Sequence, residues 1–417
     1  MAGLNLAGVA WRNLWRNKRR TLITLGAIAF GCFLAVMFTA MQDRSFADMI
    51  DLSARLGGGH VVVQHPDYLD APALSRTVSH TDRVRAQATS DPLVHRAVDR
   101  IQGQAMLSTA SNNVGVFFVA YDPAAEDDTT LSFLDGRIEG ELLTPDSADH
   151  AVVLGEHLAR NLDAKLGSKV VYTLMDRHGE LVAGLGRVSG ILQTGAPSMD
   201  RALVMLPIDQ VREVLSYEPH EATQVAVFIN DSRRSDRVAG TLSAALPADG
   251  PAALPWHVVQ PELFGFIAMK VGGARFMELV IMILVAASIF NTLFVSVMER
   301  MREFGIMRAI GYTPGQIFGL VMWESMWLAL VGLITAAAIT SLPYYYLATH
   351  GIDISGQLGE EGIEVAGVGM STVLNVGIFP ENVALIAAFA VAATLLSGLY
   401  PAYKAGRVTP VDTIRLV

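Results

Sequence analysis

The chain has 417 residues, 52% of them hydrophobic and only 17% charged, with a formal net charge of -9. A soluble domain carries about a quarter charged residues, so the apolar excess implies membrane segments, and the acidic balance speaks against a nucleic-acid binder. A single cysteine, Cys32, excludes an internal disulfide framework and any multi-cysteine metal site.

In chain order, residues 1–20 form a basic, amphipathic segment with Arg12, Arg16, Lys18, Arg19 and Arg20. Residues 21–41 are uncharged and long enough to cross about 30 Å of hydrocarbon as a helix, with the N-terminus in the cytoplasm by the positive-inside rule. Gly31-Cys32 is a lipobox-like pair, but the apolar run continues from Phe33 through Met41, as an uncleaved span does. Cys32 then reads as a small buried side chain. Ala27, Gly31 and Ala35 make a small-residue ridge suited to close helix approach.

Residues 42–277 have the ordinary mixed composition of an extracytoplasmic domain. Its ends read as stalk helices. "MQDRSFADMIDLSARLGGG" places Phe46, Met49, Ile50 and Leu56 on one face before three glycines, and "PELFGFIAMKVGGARFMELV" opens on Pro261 and Glu262, with Gly272-Gly273 as a candidate hinge. Between them "HVVVQ", "GVFFVAY", "AVVLG", "KVVYTLM" and "QVAVFI" read as strands. "GEHLARNLDAKLG" reads as a helix with Leu158, Leu162 and Leu166 on one side, and residues 71–99 as polar and helical.

Residues 278–298 form a second span, 299–315 a charged cytoplasmic helix, and 316–345 a third span interrupted by Glu324. Residues 346–381 lack lysine and arginine but contain Asp353, Glu360, Glu361 and Glu364, which suits an extracytoplasmic loop. Residues 382–402 form the fourth span, with an Ala384, Ala388 and Ala392 ridge, and 403–417 a cytoplasmic tail with Lys404, Arg407 and Arg415. The expected fold is four transmembrane helices plus an α/β extracytoplasmic domain inserted between helices 1 and 2 on a helical stalk.

Catalytic patterns are missing. In "AKLGSKV" the Gly-Ser-Lys order departs from the phosphate-loop motif. His60 and His65, with Asp67, lie at an odd spacing that puts the histidines on opposite faces of a strand. No G-x-S-x-G, HExxH or CxxC occurs. Such a chain works by moving or transmitting, without a cofactor of its own.

The layout resembles the MacB/FtsX/LolC-LolE permeases of ABC transporters. The resemblance is carried by "AWRNLWRNKRRTLIT", "ERMREFGIMRAIGYTPGQI", Glu324 and "GLYPAYKAGRVTPVDTIR". The external "GEHLARNLDAKLG" and "GGGHVVVQHPDY" look most like the lipoprotein-release branch. It implies an inner-membrane protein with its large domain in the periplasm, working by mechanotransmission. The implied partners are a cytoplasmic ATPase dimer binding ATP and Mg, a second permease subunit, identical or paralogous, membrane lipid, and a periplasmic lipoprotein carrier. Two other activities fit the same layout: a signalling permease controlling a cell-wall hydrolase, and a MacB-like drug or peptide efflux permease.

Within this frame residues 299–315 become a coupling helix. Met298, Met301, Phe304, Met307 and Ile310 recur every three residues, while Glu299/Arg302 and Arg300/Glu303 stand at i, i+3. Gly311 suits the helix stop and Pro314 the next start. The expected ATPase-coupling residues are Glu299, Arg300, Met301, Arg302, Glu303, Phe304, Met307 and Arg308, with Phe304 and Met307 on the docking edge. Glu324 is an intramembrane polar candidate, and its bland partner is Arg302 or Arg308.

Overall fold

In a computed structural model of the protein, residues 6–147, 150–247, 250–353, 364–365, 368–369 and 373–408 are described. The end of the expected tail, with Arg415, and Glu360 and Glu361 lie outside them.

Three of the four long helices begin where proline permits only a beginning. Pro261–Glu299, Pro314–His350 and Pro380–Gly406 each start on a proline, whose missing N–H costs nothing at a first helical position. Thr313 completes a capping box: its hydroxyl accepts from the Gln316 N–H, and the Gln316 side chain accepts from the Thr313 N–H at 2.8 Å. The remaining long helix is Lys18–Leu56, preceded by the short helix Leu6–Leu14. All four are long and apolar enough to cross a membrane. Pro261–Glu299 is continuous through Gly272 and Gly273, so the glycine pair makes no break there.

Two units result. The first comprises Met1–Ser45, Ala268–Ile352 and Val373–Val417, and the second Phe46–Ile267 with Asp353–Thr372. In the helical unit, glycine and alanine set the closest approaches. A side chain on Gly31 would collide with Val285, and one on Gly332 would meet Ile28 at 2.7 Å. Ala35 is buried. The fourth-helix ridge is different: Ala384, Ala388 and Ala392 are exposed, and the helix instead packs through Ile386, Ala390, Thr394 and Gly398. Within this chain the alanine ridge is therefore not a packing face. Cys32 is buried among Ile28, Ile289 and Leu328.

The other unit is built on a ten-stranded mixed sheet. In spatial order its strands are Ala252–Pro255, Val61–Gln64, Gln224–Ile229, Val94–Ser108, Asn113–Tyr121, Leu203–Pro207, Ala151–Gly155, Leu181–Gln193 and Arg137–Gly140. Lys169–Met175 pairs with both Val94–Ser108 and Leu181–Gln193. Two pairings are parallel, Asn113–Tyr121 with Leu203–Pro207 and Ala151–Gly155 with Leu181–Gln193. All five strands read from β-branched runs are present. The polar stretch 71–99 is not one helix: Thr81–Thr89 is helical, and from Val94 the chain enters the longest strand. The helix in "GEHLARNLDAKLG" covers only Glu156–Asn161, because Asp163 turns left-handed at φ 48°. Leu158 and Leu162 are buried there, while Leu166 is exposed.

Inside this unit the end of Lys18–Leu56 is fixed by a polar clamp. The Gly57 carbonyl accepts from Arg100 and, at 3.0 Å, from Gln102. Arg100 is fully buried and forms two 2.7 Å bonds with Glu126, itself fully buried at its side chain, plus one of 2.7 Å to the Thr130 carbonyl. A guanidinium at a helix C-terminus also meets the negative end of the dipole. Phe46, Met49 and Ile50 pack against Trp256 and, at the start of Pro261–Glu299, against Leu263 and Ile267, and Ser53 hydrogen-bonds Gln260.

Candidate functional site

The predicted coupling segment folds as a distinct helix, Met301–Ala309. Gly311 ends it at φ 109°, a conformation natural only to glycine, and the Tyr312 N–H returns to the Met307 carbonyl at 3.0 Å. Pro314 then opens the next long helix.

Which way the apolar side chains point corrects the sequence reading. Phe304 is fully buried, packed with Val297, Ile317, Leu320, Val321, Ala402 and Ala405. Met301 and Met307 are partly buried against the same cluster. The outward apolar residues are Ile306, 54% exposed, and Ile310, 75% exposed, beside exposed Arg302. Of the apolar edge that periodicity identified, the helical unit takes up Phe304 and part of Met301 and Met307, while Ile310 stays outside. Phe304 therefore anchors the helix, and a partner arriving from outside would meet Ile306 and Ile310.

The charged residues are spread over several elements rather than along one. Arg300 Nη1 donates to both carboxylate oxygens of Glu324 at 2.9 Å, and its Nε donates to Glu303 at 3.2 Å. Its guanidinium also lies over the Phe304 ring, 5.2 Å from the centroid. Asn13 donates to Glu324 at 2.9 Å. Arg16 pairs with Glu303 and Arg20 with Glu299, each at 2.5 Å. The expected partner of Glu324 was thus wrong: Arg300, not Arg302 or Arg308, faces it. Arg308 instead donates to the Tyr312 carbonyl at 2.8 Å, and Glu299 goes to Arg20. Of the two i, i+3 pairs expected from the sequence, Arg300/Glu303 forms, and Glu299 pairs with Arg20 instead.

Arg16, Arg20, Glu299, Arg300, Glu303 and Glu324 line a cavity of about 310 Å³ with Asn17, Thr21, Thr24, Thr292 and Ser296. Burial works against the charge of Arg300, but Glu324 and Glu303 outweigh it and hold its pKa above the ordinary value. Burial likewise raises the Glu303 carboxyl, and the bonds from Arg16 and Arg300 more than reverse this, so its pKa lies below the usual range. Arg300 Nη2 is buried without a hydrogen-bond partner. The arrangement ties Leu6–Leu14, Lys18–Leu56, Pro261–Glu299, Met301–Ala309 and Pro314–His350 together around a polar cavity.

The N-terminal helix is held by rings as well as charges. Trp327 Nε1 donates to the Ala7 carbonyl at 3.0 Å, and Trp11 stands edge-on to Trp327 and Trp15, with centroids at 5.1 and 5.7 Å. A second polar cluster in the helical unit escaped the sequence reading. Asp43 accepts from the Phe379 N–H and from Asn382, which in turn accepts from Arg275 at 2.7 Å. In the sheet unit, His60 is buried and its Nδ1 accepts from the Ile229 N–H at 3.3 Å, while His65 accepts from the Asp67 N–H. The described residues contain no cluster of three or more His, Cys, Asp or Glu able to hold a metal ion.

Four helices long and apolar enough to cross a membrane, together with a sheet unit, describe a multi-pass membrane protein, and the families it matches make it an ABC transporter permease. Residues 275–410 match the FtsX-like permease C-terminal family and residues 21–245 the MacB-like periplasmic core domain. The chain belongs to this family of permeases, with a MacB-like periplasmic domain and an FtsX-like C-terminal region. Similar proteins include the lipoprotein-releasing system transmembrane protein LolE of Haemophilus influenzae, 21% identical over 97% of this chain and 98% of that protein. LolC of Neisseria meningitidis is 22% identical over 76% of this chain and 77% of its own. The macrolide export ATP-binding/permease protein MacB of Nitrobacter winogradskyi is 23% identical, over 95% of this chain and 58% of that protein. Among solved structures, the periplasmic region of MacB from Actinobacillus actinomycetemcomitans aligns with TM-score 0.35 and 12% identity, over 51% of this chain and 96% of its own.

Proposed function

We propose that the chain is the permease subunit that converts closure of a separate cytoplasmic ATPase into motion of the periplasmic unit, releasing lipoproteins or another amphipathic envelope substrate. The observation that carries this reading is the helix Met301–Ala309. It is anchored inward through Phe304 and Arg300 and leaves Arg302, Ile306 and Ile310 exposed. A helix fastened on one side and apolar on the other can transmit a push from a partner. The basic residues at the start of the first span favour a cytoplasmic position for this end.

In this reading ATP and Mg bind the partner, and the continuous helices Lys18–Leu56 and Pro261–Glu299 carry movement outward as stalks. The end-to-end match to a lipoprotein-releasing relative supports that substrate class. Depletion followed by proteomics of inner-membrane lipoproteins tests it: accumulation is expected, and an unchanged lipoprotein distribution would sink release as the function. Docking is tested separately by Ile306→Asp with Ile310→Asp, which should abolish ATPase pull-down while the purified chain keeps its unfolding temperature.

A further inference from the structure

The carboxylates at the junction are all consumed internally. Glu299 takes Arg20, Glu303 takes Arg16 and Arg300, and Glu324 takes Arg300. Among the described residues at this end of the helical unit, Arg12, Lys18, Arg19, Arg302, Lys404 and Arg407 are exposed and form no ion pair. The basic cluster read from the sequence thus divides: Arg16 and Arg20 are taken by carboxylates of the helical unit, and Arg12, Lys18 and Arg19 stay exposed and unneutralised.

Two helices place these cations directly above exposed apolar side chains. Lys18 stands four residues before Leu22 and Arg19 four before Ile23, both apolar residues being 60% exposed. At the opposite end of the sequence, Leu396 at 65%, Tyr400 at 51% and Lys404 repeat the pattern with the same spacing. Residues four apart share a helix face. Each stripe therefore joins a cation to an apolar track, and exposed rings occur in the same unit: Trp11 is 38% exposed, and Arg407 lies over Tyr403 at 4.5 Å. Tryptophan and tyrosine favour the headgroup level of a bilayer.

We propose that this cationic collar selects anionic phospholipid, with phosphate headgroups at Arg12, Lys18 and Arg19 and acyl chains along Leu22 and Ile23. Charge complementarity favours an anion, and the track below each cation favours one that carries a chain. An acidic protein surface would match the charge but leave the apolar tracks unused.

The full chain, purified in detergent, is mixed with equal phosphatidylglycerol and phosphatidylcholine of matched chains, and retained lipid is counted by native mass spectrometry. Phosphatidylglycerol should dominate. Each neutralised cation should cut the preference about fivefold at low salt, so Arg12→Gln/Lys18→Gln/Arg19→Gln should remove most of it. High salt should weaken the preference of the unaltered chain, because exposed charges are screened. Equal retention of the two lipids by the unaltered chain, or a preference indifferent to salt, overturns the proposal and leaves the collar to an acidic protein. An undiminished preference in a folded triple variant overturns the assignment to these residues.

Discussion

Arg100 and Arg300 are both buried against carboxylates, and they differ in how fully their donors are used. Arg100, in the sheet unit, is fully enclosed: every guanidinium nitrogen is used, on Glu126, Thr130 and Gly57. Arg300, in the helical unit, has a side chain 12% exposed, faces a Glu324 of 10%, and keeps a spare Nη2 beside a polar cavity. A saturated pair in a dry interior has no alternative arrangement at comparable cost. A pair with an unused donor and neighbouring carboxylates can rearrange without stranding a charge. The first suits a fixed attachment of a helix end; the second suits a joint that must shift when a partner pushes.

The largest expected effect tests the first half of that contrast. Arg100→Met leaves Glu126 buried without a counter-charge, which costs about 3–5 kcal/mol. It should lower the unfolding temperature of the full chain strongly, and Glu126→Gln on the same background should recover part of the loss. A loss no greater than for an exposed arginine such as Arg12 would show that the clamp is not a fixed attachment.

Arg300→Met should cost less, about 1–3 kcal/mol, because Glu324 retains Asn13 and lies next to the cavity. The same unfolding measurement applies. A cost equal to that of Arg100→Met would erase the distinction between the two sites. In the proposed function, Arg300→Met should also reduce ATP-driven release more than it reduces ATPase binding, since Ile306 and Ile310 remain in place.

The sequence exposed these sites unequally, for a physical reason. Strands such as Val61–Gln64 and Ala151–Gly155 are buried throughout and built mainly from valine, leucine and alanine, so composition alone reveals them. Val94–Ser108 carries Arg96, Asp99, Arg100 and Gln102, polar residues tolerated because partners distant in sequence satisfy them. Arg100 meets Glu126 only after folding. At the junction, Arg300/Glu303 was readable as a helical neighbour pair, whereas Arg16 and Glu303 are 287 positions apart. Phe304 illustrates the other limit. A repeat every three residues says that a helix has an apolar edge, but not whether its own protein or a visitor covers it.

The smallest effect concerns acid. Glu303 bridges Arg16 and Arg300, and its pKa lies below the ordinary 4.5. A depressed carboxylate contributes stability at pH values above its ordinary pKa, and that contribution is lost as the pH falls through its lower folded value. Its side chain is 41% exposed, so solvent screens much of the interaction and the loss should be shallow. The difference in unfolding temperature between the unaltered chain and Glu303→Gln should stay constant above pH 5 and shrink below about pH 4.5. A difference that grew as the pH fell would mean that Glu303 is protonated in the folded chain, and the bridge from Arg16 to Arg300 would then not be ionic.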